Sequence, residues 1–600
     1  MSARIDRTVS NWFQTPAAVV LSLAVTLAFA AGVAADLQKP ALLPTPKSLT
    51  VDEGAMPLSA GARIVANDAS LEPLAAILSD EIWMVTNLRL AVAKGGAKAG
   101  DIVLSINAQV RADEDILAVQ KQKVVRSRDF AHTIVVSDRA VIAGWDYRAV
   151  CEGTATLLQL IAEEGGKFVL PRVRIKDWPH ADYTGTMVDV ARQYIPIDAL
   201  KMVVEACRLW KVRYIQVHLS DDHAYTFPSK AFPKLGTQNQ AHAGGIPPKV
   251  YDLNELRGLV AYADARGVTL VPELETPGHS GAIRRCMPDP FEAPGVMNIA
   301  SEKMYQALQT LIGEICMVFK SSPYFHIGCD ECSPDGAVGT PGAKEYMQRH
   351  KLPGDTRPIR NGWECYVLHA IRMNEMVRKH GKVPIAWEGV ADDDRLKNDL
   401  IVMTWYSGGH AQSLEQRGWT VITVPWSAGP LPAWSMYFCN GHTYQRTSNV
   451  LGASRPMWEM SATALVGGYA HGLCERQERT WGPDNGFKED EYRKRMAASQ
   501  ALLDKLALPV KIKTEGRTTG VTHMLRGRDG FGGTLLVNLS AGFPSGAKIH
   551  YTLDGAEPTL QSPVYVGPLK FEKSFTLNAA LFAGNRQIGC VTRAIYDRSD

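Results

Sequence analysis

Six hundred residues are too many for one ordinary domain, so two or three are expected. A hydrophobic share of 46%, a charged share of 21% and a formal net charge of +3 describe a globular chain, and they point to neither nucleic acid nor an acidic surface as a partner. Phosphate-cradling G-x-x-x-x-G-K-S/T and metal-binding H-E-x-x-H patterns are both absent, so no metal or cofactor is expected.

The chain opens with Arg4 and Arg7, then an apolar run from Ala17 to Ala31, then Val33-Ala34-Ala35 before Asp36. A basic start, a short apolar centre and small residues at minus three and minus one make a secretory signal over residues 1–35. The run is short for a bilayer span, and no Cys follows it, so cleavage near Ala35 and export to the periplasm or medium are expected, without a stable membrane anchor. The ten cysteines could pair in that compartment. Most, such as Cys151, Cys207, Cys316 and Cys365, fall in apolar helical patterns where a buried thiol is the plainer reading. Pairing does not follow from sequence.

Residues 36–178 form a first unit of mixed pattern. Helical periodicity runs over Leu71–Asn87 and Tyr147–Ile161. Strands are expected at Asp101–Ile106 and in a hairpin, His132–Ser137 and Ala140–Gly144, turning at Asp138-Arg139. This predicts a small α+β domain, and it holds no catalytic constellation.

From 179 to 508 short apolar strands alternate with amphipathic helices, the texture of βα repeats closing into a (β/α)₈ barrel. Candidate strands are Gly185–Val190, Tyr214–Leu219, Thr269–Pro272, Tyr324–Gly328, Val383–Trp387, Leu400–Trp405, Thr420–Val424 and Pro456–Glu459. Helices such as Ile197–Trp210, Asn254–Arg266, Glu302–Val318 and Trp363–His380 lie between them. Just after the strands come Asp189 with Arg192, His218 with Asp221 and Asp222, Glu273 with Glu275 and His279, Asp330-Glu331, Trp387-Glu388, Trp405, Trp426, and Trp458-Glu459. Barrel enzymes collect their chemistry at those ends. Carboxylates there suit sugar hydroxyls, and indole faces suit the C–H face of a pyranose. Residues 509–600 are strand-rich, with a turn at Asp554-Gly555.

The stretch Tyr324-Phe325-His326-Ile327-Gly328-Cys329-Asp330-Glu331-Cys332 steps from a buried strand to two adjacent carboxylates. Such neighbours repel each other and gain nothing for stability unless a site uses them. Read as H-x-G-x-D-E, it resembles the signature of the family-20 glycoside hydrolases, the β-N-acetylhexosaminidases. The text Tyr551-Thr552-Leu553-Asp554-Gly555 with Pro558-Thr559 independently resembles the C-terminal β-sandwich of chitobiase-type enzymes, and residues 36–178 look like the non-catalytic domain that precedes the family's barrel.

The resemblance implies substrate-assisted hydrolysis, in which the 2-acetamido oxygen attacks the anomeric carbon. It implies that Glu331 is the general acid/base and that Asp330 orients the acetamido nitrogen. It further implies that Arg192, Asp189, His218, Asp222, His279 and Glu459 bind the sugar, that Trp387 and Trp405 wall the acetamido pocket, and that Trp458 lies beneath the terminal ring. Three departures stand out. His223-Ala224-Tyr225 follows Asp222 in place of Gln-Gly-Trp, and Glu275 replaces an Asp. The Tyr that normally binds the acetamido oxygen has only a loose counterpart, Tyr437. A silent glycan-binding barrel and a disaccharide-releasing member of the family are the alternatives. A chitinase-type barrel lacks its D-x-x-D-x-D-E run here.

Overall fold

The computed structural model describes residues 40–599 except 122, 238–240, 243–246, 406–407, 425–448, 483–487, 524–526 and 543. The expected export signal, Trp426 and Tyr437 lie outside the described residues.

Residues 48–177 build an eight-stranded mixed sheet. Its order is Ser48–Pro57, Lys167–Asp177, His132–Val136, Ala140–Gly144, Ile102–Ile106, Arg63–Ala66 and Ala91–Lys94, with Ala162–Glu164 paired beside Lys167–Asp177. Helices Glu72–Thr86 and Tyr147–Leu160 pack between this sheet and the rest of the molecule. The second starts where the Asp146 carboxylate accepts the Ala149 N–H at 2.9 Å. It then lies close on the sheet because residue 153 is glycine: a Cβ there would stand 2.5 Å from Ile142. The longest strand of the sheet, Lys167–Asp177, escapes the sequence reading because Pro171 interrupts it. In the structure Pro171 faces Ala55 beside a register shift, the place where a strand tolerates proline.

Eight parallel strands close a barrel: β1 Tyr183–Asp189, β2 Tyr214–His218, β3 Thr269–Thr276, β4 Tyr324–Gly328, β5 Val383–Trp387, β6 Ile401–Thr404, β7 Thr420–Thr423 and β8 Val450–Met457. The circle closes as β8 pairs with β1 from Tyr183↔Gly452 to Val188↔Met457. The (β/α)₈ architecture expected from the alternating pattern is therefore present. Two strands need correction. The third, expected over Thr269–Pro272, runs on to Thr276, so Glu273 and Glu275 lie on it rather than after it. The eighth runs from Val450 to Met457, not from Pro456 to Glu459. Gly452, Ser454 and Arg455 break its apolar run, although all three are buried. Inward side chains fill the barrel, among them Tyr183 stacked on Tyr214 at 4.8 Å and Tyr324 edge-on to both. A hairpin, Ile116–Gln120 with Lys123–Ser127, adds Leu117 and Val119 to this interior.

Six C-terminal strands, from Lys511–His523 to Arg586–Arg598, form one hydrogen-bonded sheet. Its last strand lies on the barrel helices Ile197–Leu209 and Ala462–Trp481. The Asp198 carboxylate fastens it by accepting from Val591 N and Gln587 Nε2 at 2.6 and 2.9 Å. Among the described residues no helix is long and apolar enough to cross a membrane. The nine described cysteines are free thiols, all buried except the half-buried Cys332.

Buried ion pairs join the N-terminal sheet unit to the barrel. Arg208 pairs with Glu81 at 2.6 Å and Lys211 with Asp177 at 2.6 Å, while Arg213 bridges Glu152 at 2.7 Å and Asp182 at 2.9 Å. Removing one partner of a buried pair leaves an uncompensated charge. Arg213→Ala, which strands two carboxylates, is expected to cost about 3–5 kcal/mol in urea unfolding. An unchanged unfolding midpoint would show that these pairs do not hold the interface.

Candidate active site

The mouth of the barrel, at the C-terminal ends of its strands, encloses a cavity of about 280 Å³. Of the twelve residues singled out from sequence, nine line it: Arg192, His218, His279, Asp330, Glu331, Trp387, Trp405, Trp458 and Glu459. Asp189 and Asp222 stand behind the lining, and Tyr437 lies outside the described residues. The lining also takes in Asp221, Val424 and Pro456.

Asp189 ends β1 and folds the following turn onto itself. Its carboxylate accepts from the backbone N–H of Ala191 and Arg192 at 3.1 and 2.9 Å. It also accepts from the Arg192 guanidinium at 3.1 Å and from Glu459 N at 3.2 Å, tying the first strand's loop to the eighth's. Arg192 reaches Asp221 at 2.8 Å and lies 5.0 Å over the Trp458 ring. One arginine thus spans β1, β2 and β8.

Beneath the cavity sits Glu273, fully buried on β3. It accepts from His218 Nδ1 at 2.7 Å, Gln216 Nε2 at 2.9 Å and Trp387 Nε1 at 3.0 Å, and lies 3.1 Å from His326 Nδ1. Burial alone would raise its proton affinity, but the two histidines outweigh that and hold it ionised, well below the usual carboxylate range. His218 bonds Asp221 through its other nitrogen at 3.1 Å. Although burial opposes the charge, Glu273 and Asp221 lift its pKa to about 10, so it is an imidazolium at neutral pH.

Trp387, His218 and Trp458 pack edge and face around this ion cluster, with Trp458 5.1 Å from His218 and 6.0 Å from Trp387. Trp405 is fixed through its backbone: Glu388, buried at the end of β5, accepts the Trp405 N–H at 3.1 Å and the Thr404 hydroxyl.

Asp330 and Glu331 follow β4 and face different surroundings. Asp330 is half-buried, and its Oδ1 is buried with no hydrogen-bond partner among the described residues. Burial raises its proton affinity. The Glu331 side chain is 57% exposed, and its Oε2 lies 3.2 Å from His279 Nε2. The other face of His279 lies 3.4 Å from Asp222, whose Oδ1 accepts the Gly281 N–H at 2.8 Å. Asp222 therefore acts from behind, through His279, and Asp221 takes the place at the cavity wall. The Asp222 contact, working against burial, raises the His279 pKa to about 9, and the same contact lowers Asp222 to about 2.

Backbone strain marks the same place. Four of the seven described non-glycine residues with positive φ are His279, Cys329, Glu331 and Glu459, at +39°, +76°, +39° and +60°. Such conformations cost about 1–3 kcal/mol each and persist where the surroundings enforce them.

Two groups of acids and histidines lie close enough to share an ion, His218-Glu273-Glu275 and Asp221-Asp222-His279. Most of their atoms already bond one another or neighbouring N–H groups, which describes a proton network.

Three family models match the chain: the glycosyl hydrolase family 20 catalytic domain over residues 182–431, the family's domain 2 over 39–178, and the chitobiase/beta-hexosaminidase C-terminal domain over 533–591. The chain belongs to glycosyl hydrolase family 20. It is similar to a beta-hexosaminidase of Vibrio furnissii, with 26% identity over 65% of this chain and 64% of that one, and to one of Porphyromonas gingivalis, with 23% identity over 92% and 74%. The first match thus spans under two thirds of its relative's length. In fold it resembles the family-20 exo beta-N-acetylglucosaminidase of Vibrio harveyi, solved with N-acetylglucosamine, at a TM-score of 0.65 and 20% identity over 78% of this chain and 77% of that one. The family-20 beta-N-acetylhexosaminidase of Streptomyces coelicolor gives a TM-score of 0.62 at 20% identity, covering 78% and 96%.

The family-20 mouth owes its proton order to these contacts, and nuclear magnetic resonance of imidazole nitrogens can read it directly. His279 is expected to stay protonated through neutral pH and to lose its proton as pH rises through about 9. Asp222→Asn should bring that midpoint down toward about 6.5, the free imidazole value. A parent His279 midpoint near the free value would remove Asp222 from this role.

Proposed function

We propose that the protein is an exported, retaining exo-β-N-acetylhexosaminidase that removes terminal N-acetylglucosamine or N-acetylgalactosamine by substrate-assisted catalysis. The observation that carries this reading is the unequal pair after β4. Asp330 is half-buried and holds one buried, unpartnered oxygen beside the cavity, while Glu331 is exposed next to it. Adjacent residues cannot flank a glycosidic bond from both sides, so they do not form the usual acid and nucleophile couple. Asp221, the fully buried carboxylate at the wall, is already engaged by Arg192 and His218. A nucleophile carried by the substrate removes the difficulty.

In this mechanism the acetamido oxygen attacks the anomeric carbon while Glu331 gives its proton to the departing oxygen. The ring-fused oxazolinium that forms has an N–H, and the Asp330 carboxylate accepts it as positive charge develops. Water then adds to the anomeric carbon, Glu331 takes its proton, and the acetamido oxygen leaves. Two inversions give net retention. Trp387 and Trp458 pack against the barrel core and give the cavity a floor, which suits a chain end. Trp458 suits the ring's C–H face, Trp387 and Trp405 the acetamido methyl, and Arg192 and Glu459 the outer hydroxyls. Tyr437 is our candidate for the donor to the acetamido oxygen.

We divide the chain into a signal over 1–35, an α+β domain over 36–178, the catalytic barrel over 179–508 and the C-terminal module over 509–600. The basic start, the apolar run and the small residues before Asp36 support export. Aminosugar-polymer degradation outside the cytoplasm fits these features.

Substrate design separates the two carboxylates. Glu331→Gln should be partly rescued on a dinitrophenyl glycoside, whose leaving group needs little protonation. Asp330→Asn should slow every 2-acetamido substrate, by roughly 10²–10³-fold, whatever leaves. The matching glucoside, lacking the internal nucleophile, should be nearly inert to the parent. Efficient glucoside cleavage, or equal leaving-group sensitivity in both variants, would mean a nucleophile from the protein.

A further inference from the structure

The sequence departs from the family pattern at residue 275, and the structure gives that glutamate an unusual setting. β3 carries a bulge against β4: Glu273 faces His326 and Thr276 faces Gly328, so two intervening residues on β3 oppose one on β4. The bulge turns Glu275 over the end of β4. Its carboxyl lies directly on the Gly328 α-carbon, where a Cβ would stand 2.0 Å from Oε1, and residue 328 also has φ +75°. The longer arm of glutamate is accommodated because that position has no side chain.

Glu275 Oε1 accepts the Cys329 N–H at 3.1 Å. Its Oε2 is buried with no partner meeting hydrogen-bond geometry, and so is Oδ1 of Asp330, the neighbouring carboxyl. The groups facing Glu275 are Glu273 on its own strand, His218 and Asp221 from the end of β2, Cys329 and Asp330 from the end of β4, and Tyr366 from helix Gly362–Lys379. Three of these are carboxyls. Glu273 is compensated by His218 and His326, and Asp221 by Arg192 and His218. Among the described residues Glu275 has no ion-pair partner. A fourth buried negative charge here would stand uncompensated, and a proton removes it.

We propose that Glu275 is kept protonated behind Asp330 and donates a hydrogen bond to it, as a positioning residue that holds Asp330 ionised and turned toward the substrate's N–H. Burial, followed by the charge of Asp330, drives the Glu275 proton affinity far above the carboxylate range, in accord with this geometry. A carboxylate offers about four acceptor sites, enough for Glu275 and for the ligand N–H together. The inference rests on the role given to Asp330 above, but the proton itself is a property of the free protein.

Two variants and a spectrum test it. Glu275→Gln keeps a donor toward Asp330 and should retain kcat on a nitrophenyl 2-acetamido glycoside within about tenfold. Glu275→Leu is close in size without a donor, and its kcat should fall by roughly 10²–10³-fold. Infrared difference spectra of the free proteins should show one protonated-carboxyl C=O band in the parent that is lost in Glu275→Gln. Equal impairment of the two variants, or no lost band, would overturn the proposal. Should Glu275→Leu not fold, the band and the Gln variant decide alone. A parent that turns over no 2-acetamido glycoside would sink the functional reading, while the band would still report the proton.

Discussion

The mouth of this barrel is organised around the ionised carboxylate of Glu273. Burying such a charge costs several kcal/mol unless donors surround it. Here a histidine, an amide and an indole from β2 and β5 do so, with His326 of β4 alongside. Each donor is thereby fixed. Trp387 can face the cavity in only one orientation, and His218 is held as an imidazolium whose other edge holds Asp221, and Asp221 in turn holds Arg192. Neutralising Glu273 would release the wall, the floor and the sugar-facing arginine together.

A second consequence is the sorting of protons among neighbouring carboxyls. Glu273, Asp221 and Asp222 each contact a cation and stay ionised. Glu275 has none and sits behind Asp330, while Glu331 reaches into solvent beside His279. The barrel therefore sets Glu273, Asp221, Asp222, Glu275 and Asp330 into different states with few groups, chiefly His218, His279 and Arg192. Left-handed backbone at His279, Cys329, Glu331 and Glu459 shows where the fold accepts strain to aim them.

Much of this was legible beforehand, because parallel strands buried on both faces read as short apolar runs and the chemistry follows their ends. β4 and β5 carry the residues expected of them to the last position. β8 was misplaced because buried Gly452, Ser454 and Arg455 look like a loop when burial is unknown. The roles of Asp221 and Asp222 could not be ordered from the text. Both follow the same strand, and only the turn geometry decides which carboxylate meets the cavity and which meets His279. Glu273 and Glu275 were visible as acids at a strand end. Their burial beneath the site, and the bulge that places Glu275 on Gly328, depend on pairing between strands some fifty residues apart in sequence, which local pattern does not encode.

The central claim is that the site is prepared for a bicyclic intermediate made by the substrate itself. Binding of a thiazoline, in which sulfur replaces the oxazoline ring oxygen, measures this most directly when compared by calorimetry with the simple N-acetylated sugar. Sites complementary to a reaction's high-energy species bind stable mimics far more tightly than product. The thiazoline should bind the parent at least about 10²-fold more tightly than N-acetylglucosamine, and Asp330→Asn should lose most of that margin. Equal affinity for the two ligands in the parent would contradict the account.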